Sequence, residues 1–164
     1  MTSDNPDPSA VGGAVPVNYA VAVTAPGAGT PTGNVTVSDG TDSCIGTLPA
    51  TSCNLTFTSA GTKTLTATYA GDSNFNGSSD TEPHEALART AQGNAGSGAV
   101  TAEIIGGTCI GFANGSTSFP VAPTPLPPGV IFPYGLFGFT AVCPTGGTIT
   151  LTMTYPNPLP PDTQ

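Results

Sequence analysis

The sequence predicts an all-β protein: a β-sandwich followed by a second small β-sandwich domain that reads as incomplete. Three observations carry this. Apolar and polar residues alternate in short runs, the runs recur about every ten residues, and Gly, Pro, Asn and Asp fill the gaps between them. The composition agrees, with 27 Thr, 22 Gly and 18 Pro among 164 residues and few strong helix formers. β-Branched side chains fit a pleated sheet, and Gly and Pro punctuate it. Pro plus Gly is close to the level of low-complexity chains, but regular alternation argues against disorder. A domain usually takes about 100 to 150 residues, so the chain holds one large domain or two small ones.

The elements follow in order. In "AVPVNYAVAVTA", Val15, Val17, Tyr19, Val21 and Val23 share one face and Pro16, Asn18, Ala20, Ala22 and Thr24 the other, which predicts a strand with one buried face. "GTPTGNVTVSDG" supplies a turn and a second strand with Val35 and Val37 inward. "CNLTFTSAG" turns Cys53, Leu55 and Phe57 one way, and "TLTATY" does the same with Leu65, Ala67 and Tyr69. Short strands with turn signals between them are the pattern of a sandwich.

"NPDPSAVGGAVPVNYAVAV", "GTPTGNVTVSDG" and "AGTKTLTATYAGDSNFNGSS" resemble successive parts of a bacterial immunoglobulin-like repeat, a type strung in tandem through large surface proteins and adhesins. The likeness covers residues 3 to 83. It implies an Ig-like sandwich over residues 1–83, with Tyr69 near a sheet corner and "GDSNFNGSS" as the last hairpin. Such repeats usually carry a further strand before the Asn-Pro segment. With only Met1 to Asp4 ahead of it, that first strand is expected to be missing.

The same hairpin sequence is spaced almost like a calcium loop. Asp72, Asn74, Asn76, Gly77, Ser78 and Asp80 stand at the oxygen-ligand and glycine positions of an EF-hand. The place of the bidentate Glu is taken by Pro83, and the preceding segment reads as a strand rather than a helix. A polar hairpin is therefore the favoured reading, with Asp72, Asn74, Asn76 and Asp80 kept as a weak calcium candidate and no other cofactor expected.

Four cysteines fall as one pair in each half: Cys44 and Cys53, Cys109 and Cys143. No C-x-x-C motif occurs and His84 is the only histidine, so a closed zinc site would need all four cysteines from both halves. Disulfides Cys44–Cys53 and Cys109–Cys143 are the simpler expectation. They suit small β-domains with thin cores and place the chain outside a reducing cytoplasm. No signal peptide is visible and no run nears the length of a membrane span, so Met1 is expected to be an added start on a fragment of a longer protein.

Alternation stops after Pro83, and "HEALARTAQGNAGSG" is expected to be a flexible linker over residues 84–98. His84 and Glu85 make a poor catalytic pair there, with no nucleophile nearby in sequence, and a solvated linker histidine is the commoner case. Residues 99–164 are expected to form the second β-domain. "AVTAEIIGGTCIGF" opens it, and "GGTITLTMTY", with Ile149, Leu151, Met153 and Tyr155 alternating with threonines, is its clearest strand. The proline-rich stretch between them cannot join a ladder. Phe132, Tyr134, Phe137 and Phe139 then concentrate as a core or as an exposed ligand-binding patch, with core favoured because this unit has few other large side chains to bury. "GGTCIGF" and "FPYGLFGFTAVCPTGGTITLTMTYPNPLPPDTQ" resemble the start of a choice-of-anchor C-terminal region, the U variety, found before sorting signals in Gram-negative surface proteins. The likeness implies that further strands follow Gln164.

Net charge is −8, with Lys63 and Arg89 the only cationic side chains. No patch exists to neutralise phosphates, so nucleic acid is excluded as a partner, and an anionic membrane surface with it. No nucleophile turn is present, carboxylates are sparse, and Asp39 and Asp42 flank a hairpin where Asp is ordinary, so an enzyme is not expected. Sequons at Asn34, Asn54, Asn76 and Asn114 are near chance in a chain with this much Ser and Thr, and Lys63 allows at most one isopeptide cross-link. The leading expectation is an extracellular structural module, a stalk or fibre subunit. Its partners would be neighbouring domains or copies of itself joined by strand exchange, because a sandwich lacking an edge strand exposes unpaired backbone groups. The alternative is an adhesin-type module that recognises glycan or protein through residues 132–139.

Overall fold

The computed structural model describes residues 1–94, 99–120 and 137–155. The described residues are all-β, and they divide into two compact units, Met1–Ala86 and Leu87–Gln164.

The first unit is a two-sheet sandwich. One sheet holds β1 (Ser3–Asp4), β3 (Ala14–Asn18) and β6 (Ser52–Thr56) in the order β1-β3-β6. The other holds β2 (Ser9–Ala10), β4 (Asn34–Ser38), β5 (Ser43–Thr47), β7 (Gly61–Gly71) and β8 (Asn76–Leu87) in the order β2-β8-β7-β4-β5. The inward residues of the period-two runs meet between the sheets: Val15, Val17, Tyr19, Val35, Val37, Leu55, Phe57, Leu65, Ala67, Tyr69 and Ala86 form one buried cluster. Their threonine neighbours face outward, as the pleat requires.

Three expectations are corrected here, and one strand had not been expected. The first strand is present, split into two short pieces: β1 pairs with β3 through Ser3↔Asn18 and Asp4↔Val17, and β2 crosses to lie beside β8. The proline-broken segment Asn5 to Pro8 is the crossing, which is why it does not read as a strand. The strand expected through Val23 ends at Asn18, because its partner β6 begins at Ser52; one further bond, Tyr19 N–H to the Thr51 carbonyl, closes the ladder. The linker expected over 84–98 is strand through residue 94 except at Ala88 and Arg89. β8 runs to Leu87 and β9 spans Thr90–Asn94, while residues 95–98 lie outside the described residues. Finally, β5 was not legible at all, because "SCIGT" inverts the usual pattern, with Ile45 61% exposed and Gly46 inward.

Gly46 is required by its neighbour. A Cβ there would lie 1.8 Å from the Tyr19 hydroxyl oxygen and 3.0 Å from the Ser52 carbonyl oxygen. Gly46→Ala is expected to lower the stability of the first unit by about 1–3 kcal/mol, the usual cost of overpacking. Adding Tyr19→Phe should recover part of the loss, since that hydroxyl makes only a 3.5 Å contact with the Ser52 carbonyl. Urea unfolding of the two variants checks this; no recovery in the double variant would place the strain elsewhere.

Both disulfides form. Cys44 on β5 bonds to Cys53 on β6 and so joins the two sheets at one side of the sandwich. At the other side the chain itself passes from β1 to β2. In the second unit, β10 (Ala99–Gly107) is the centre of a three-stranded sheet in the order β13-β10-β9, where β13 is Ile149–Thr154. A two-stranded piece pairs β11 (Gly111–Phe112) with β12 (Ala141–Val142), and Cys109 bonds to Cys143 beside it. The register shifts by a bulge between Ile104 and Gly106, and Ile105 faces outward by the strand's alternation, 57% exposed. Among the described residues, Ala91, Ala102, Ile104 and Phe112 form one buried cluster, Val100 packs separately against Phe119, Met153 and Tyr155, and Leu87 is fully buried.

Candidate functional site

Three buried polar residues of the first unit, Asp4, Ser9 and His84, come together. Alternation in "EPHEAL" continues past Pro83, so His84 and Ala86 point inward from β8 while Pro83 and Glu85 point away from the core. His84 is 1% exposed, and its ring stacks on Phe57 with centroids 4.5 Å apart. Its Nδ1 lies 2.8 Å from Asp4 Oδ2, on β1, and its Nε2 lies 2.8 Å from Ser9 Oγ, on β2. Asp4 and Ser9 are themselves 7% and 2% exposed. An ionised Asp4 only accepts, which places a proton on Nδ1. The Ser9 hydroxyl then serves Nε2 as donor to a neutral ring or acceptor from a charged one. Asp7 stands at the outer edge, with Oδ1 3.6 Å from Nδ1 and accepting the Glu85 N–H at 2.9 Å.

The cluster corrects the reading of His84 as a solvated histidine without a partner. Its partners lie 75 and 80 positions away, in a segment whose prolines hide its strand character. The continued alternation at 82–86 was the one signal able to reveal the burial. The order Ser9–His84–Asp4 has the connectivity of a nucleophile, base and orienting acid. At 2% exposure, however, Ser9 offers no approach to a substrate carbonyl, and what the arrangement does is tie β1 and β2 to β8. The oxygens of Asp4 and Asp7 and the His84 Nδ1 also lie within 4.8 Å of one another, close enough to share an ion.

The calcium candidate is not brought together. Asp72 Oδ1 accepts the Asn74 and Phe75 N–H groups at 2.8 and 2.9 Å, and Oδ2 accepts the Thr32 N–H and hydroxyl, each at 2.8 Å. Asn76 pairs with Gly71 at the hairpin mouth, whereas Asp80 stands opposite Ala67, about 13 Å farther along the ladder at the usual strand rise. Asp80 accepts from the Met1 amine instead. The likeness to an ion loop arises because turns select Asp and Asn to cap backbone N–H groups. Tyr69 is buried near this turn, its hydroxyl donating to the Thr32 carbonyl at 2.9 Å.

The N–H groups of Asn74 and Thr32, with the Thr32 hydroxyl, hold the Asp72 carboxyl far below the ordinary carboxylate range. Because the folded value is depressed, this stabilisation is complete at neutral pH and is lost as pH falls below about 4. Asp72→Asn is therefore expected to weaken the first unit at pH 7 and to flatten its stability between pH 4 and 2. Thermal unfolding over that range checks it, and an unchanged acid slope would refute it.

Asp39 is less ordinary than a hairpin aspartate. Its side chain is 1% exposed, and Oδ2 lies 3.5 Å from Lys63 Nζ. Burial alone would raise its carboxyl, but the Asp42 and Thr41 N–H groups and the Lys63 charge bring it below the ordinary value. Asp42 accepts the Thr58 N–H and hydroxyl, so this pair locks two neighbouring turns.

Of the aromatic candidates, Phe132 and Tyr134 lie outside the described residues. Phe137 packs against the cluster of Ala91, Ala102, Ile104 and Phe112. Phe139 is 39% exposed, stacked on Phe137 at 5.2 Å and edge-on to Phe112 at 5.6 Å.

A family model described as Bacterial Ig-like domain (group 3) matches residues 1–86, the same residues that form the first compact unit. The chain belongs to this family. No curated protein and no solved structure matches it. The split first strand, the inter-sheet disulfide and the His84 cluster are thus features of a bacterial Ig-like sandwich. The match stops at residue 86, and none of the comparisons supports the choice-of-anchor reading of the later residues.

Proposed function

We propose that this bacterial Ig-like chain is a non-enzymatic spacer module of an extracellular surface protein. The observation that carries the reading is the closure of the sandwich. The first and last strands, β2 and β8, are neighbours in one sheet and are tied by the buried Asp4–His84–Ser9 cluster. The opposite side is closed by Cys44–Cys53. A module whose first and last strands support each other resists fraying at its ends, which is what a spacer under tension requires. Disulfides in both units fit an oxidising compartment. The burial of Ser9 and His84 speaks against hydrolytic use of that cluster.

The competing reading, a fibre built by strand exchange, loses its main motive in the first unit, because the strand thought to be missing is paired there. The adhesin reading retains Phe139 as an exposed ring, while Phe137 serves the core. Size-exclusion chromatography with light scattering on non-reduced protein separates these. A monomer across the micromolar range supports the spacer; concentration-dependent oligomers or fibres would overturn it in favour of strand exchange.

A further inference from the structure

We propose that Asp4, Asp7 and His84 form a binding site for a divalent transition metal of the zinc type, which cross-links the first strand of the sandwich to its last. One imidazole nitrogen and two carboxylate oxygens are a donor set that zinc accepts, with a fourth position left for water. Zinc binds nitrogen and carboxylate oxygen at about 2.0–2.2 Å, so neighbouring ligand atoms in a tetrahedral site lie roughly 3.3–3.5 Å apart. The Asp7 Oδ1 to His84 Nδ1 distance is 3.6 Å and needs almost no change. Asp4 Oδ2 and Nδ1, at 2.8 Å, are joined through a proton. Replacing that proton by the ion, with its release to solvent, requires them to part by about half an ångström.

The surroundings orient the ligands. With the ion on Nδ1, Nε2 carries the ring proton and donates to Ser9 Oγ, already at 2.8 Å, which is the outer-shell bond that metal-bound histidines characteristically make. Phe57 stacks on the ring and holds its plane. Asp7 Oδ1 is held by the Glu85 N–H. The side chain of Asp7 is 38% exposed while that of His84 is closed to solvent, so the free coordination position faces out past Asp7. Charge favours the ion as well. Among the described residues, the ion pairs of Asp4 and Asp7 are both with His84, so two carboxylates depend on one imidazole.

The test uses the whole chain, free of any affinity tag and stripped with EDTA, titrated with Co²⁺ and then Zn²⁺. The expected result is one cobalt per chain, with visible d–d absorption that Zn²⁺ removes, and a rise in the melting temperature of the first unit on adding Zn²⁺. Asp7→Asn keeps an oxygen for the Glu85 N–H and removes the anionic ligand, so it should fold normally and bind at least tenfold more weakly. Ser9→Ala should weaken binding tenfold or more through the lost outer-shell bond. No cobalt absorption in the parent chain, or affinity unchanged in a folded Asp7→Asn variant, would overturn the proposal.

Discussion

In metal-free buffer, His84→Ala is expected to cost the first unit about 3–5 kcal/mol, the range seen when one member of a buried charged network is removed. The change strands Asp4 and Ser9, both nearly closed to solvent, and leaves a void against Phe57. Each orphaned polar group bears its own desolvation penalty, and the missing ring adds a cavity cost. Small domains hold only about 5–15 kcal/mol in total, so the variant should sit near the edge of folding. Residues 3–10 should open first, since β1 and β2 have only two residues each and depend on this cluster. Hydrogen exchange would show protection lost there before it is lost at β7. The triple replacement Asp4→Leu, Ser9→Ala, His84→Phe separates network from packing. Removing all three polar partners together should cost less than His84→Ala alone. If His84→Ala costs under about 1 kcal/mol, below the usual range for a broken buried network, the cluster is not what holds the first strand.

Much of the sandwich was legible because its core residues obey a local rule. Val15, Val17, Val35, Val37, Leu55, Phe57, Leu65 and Tyr69 were readable from alternation alone, and all are buried together. What escaped depends on distant partners. Nothing near Val21 says that its ladder partner has ended, and nothing near Ser43 says that Gly46 faces the hydroxyl of Tyr19, just past the end of β3. The His84 cluster escaped for the same reason, compounded by the prolines that disguise the first strand. At residues 72–80 the favoured reading, a polar hairpin, was legible locally, because Asp72 caps the Asn74 and Phe75 N–H groups of the turn. Cysteine pairing by halves was readable; the joining of two sheets by Cys44–Cys53 was not, because β5 itself was invisible.

Replacing Cys109 and Cys143 together by alanine is expected to unfold the second unit while the first stays intact. The two residues are 34 apart in sequence, against 9 for Cys44 and Cys53. Chain entropy alone then assigns the longer closure roughly 4 kcal/mol and the shorter one about 2.7. The units also differ in what remains once the bridge is gone. The first retains a cluster of eleven buried residues, among them Phe57 and two tyrosines, whereas among the described residues of the second the buried hydrophobics besides Cys109 are Leu87, Ala91, Val100, Ala102, Ile104 and Phe112. Thin cores of this kind supply little net stability without a staple. For a unit of this size about 4 kcal/mol corresponds to a fall in melting temperature of the order of 15–30 °C. His84, the only histidine, reports the first unit by its imidazole NMR signals, and the methyl signal of Met153 reports the second. In the Cys109/Cys143 variant the Met153 signal should collapse to its unfolded position at a temperature where the His84 signals stay native. The reverse order, or a larger loss from the Cys44/Cys53 variant, would mean that the second unit draws its stability from packing rather than from its bridge.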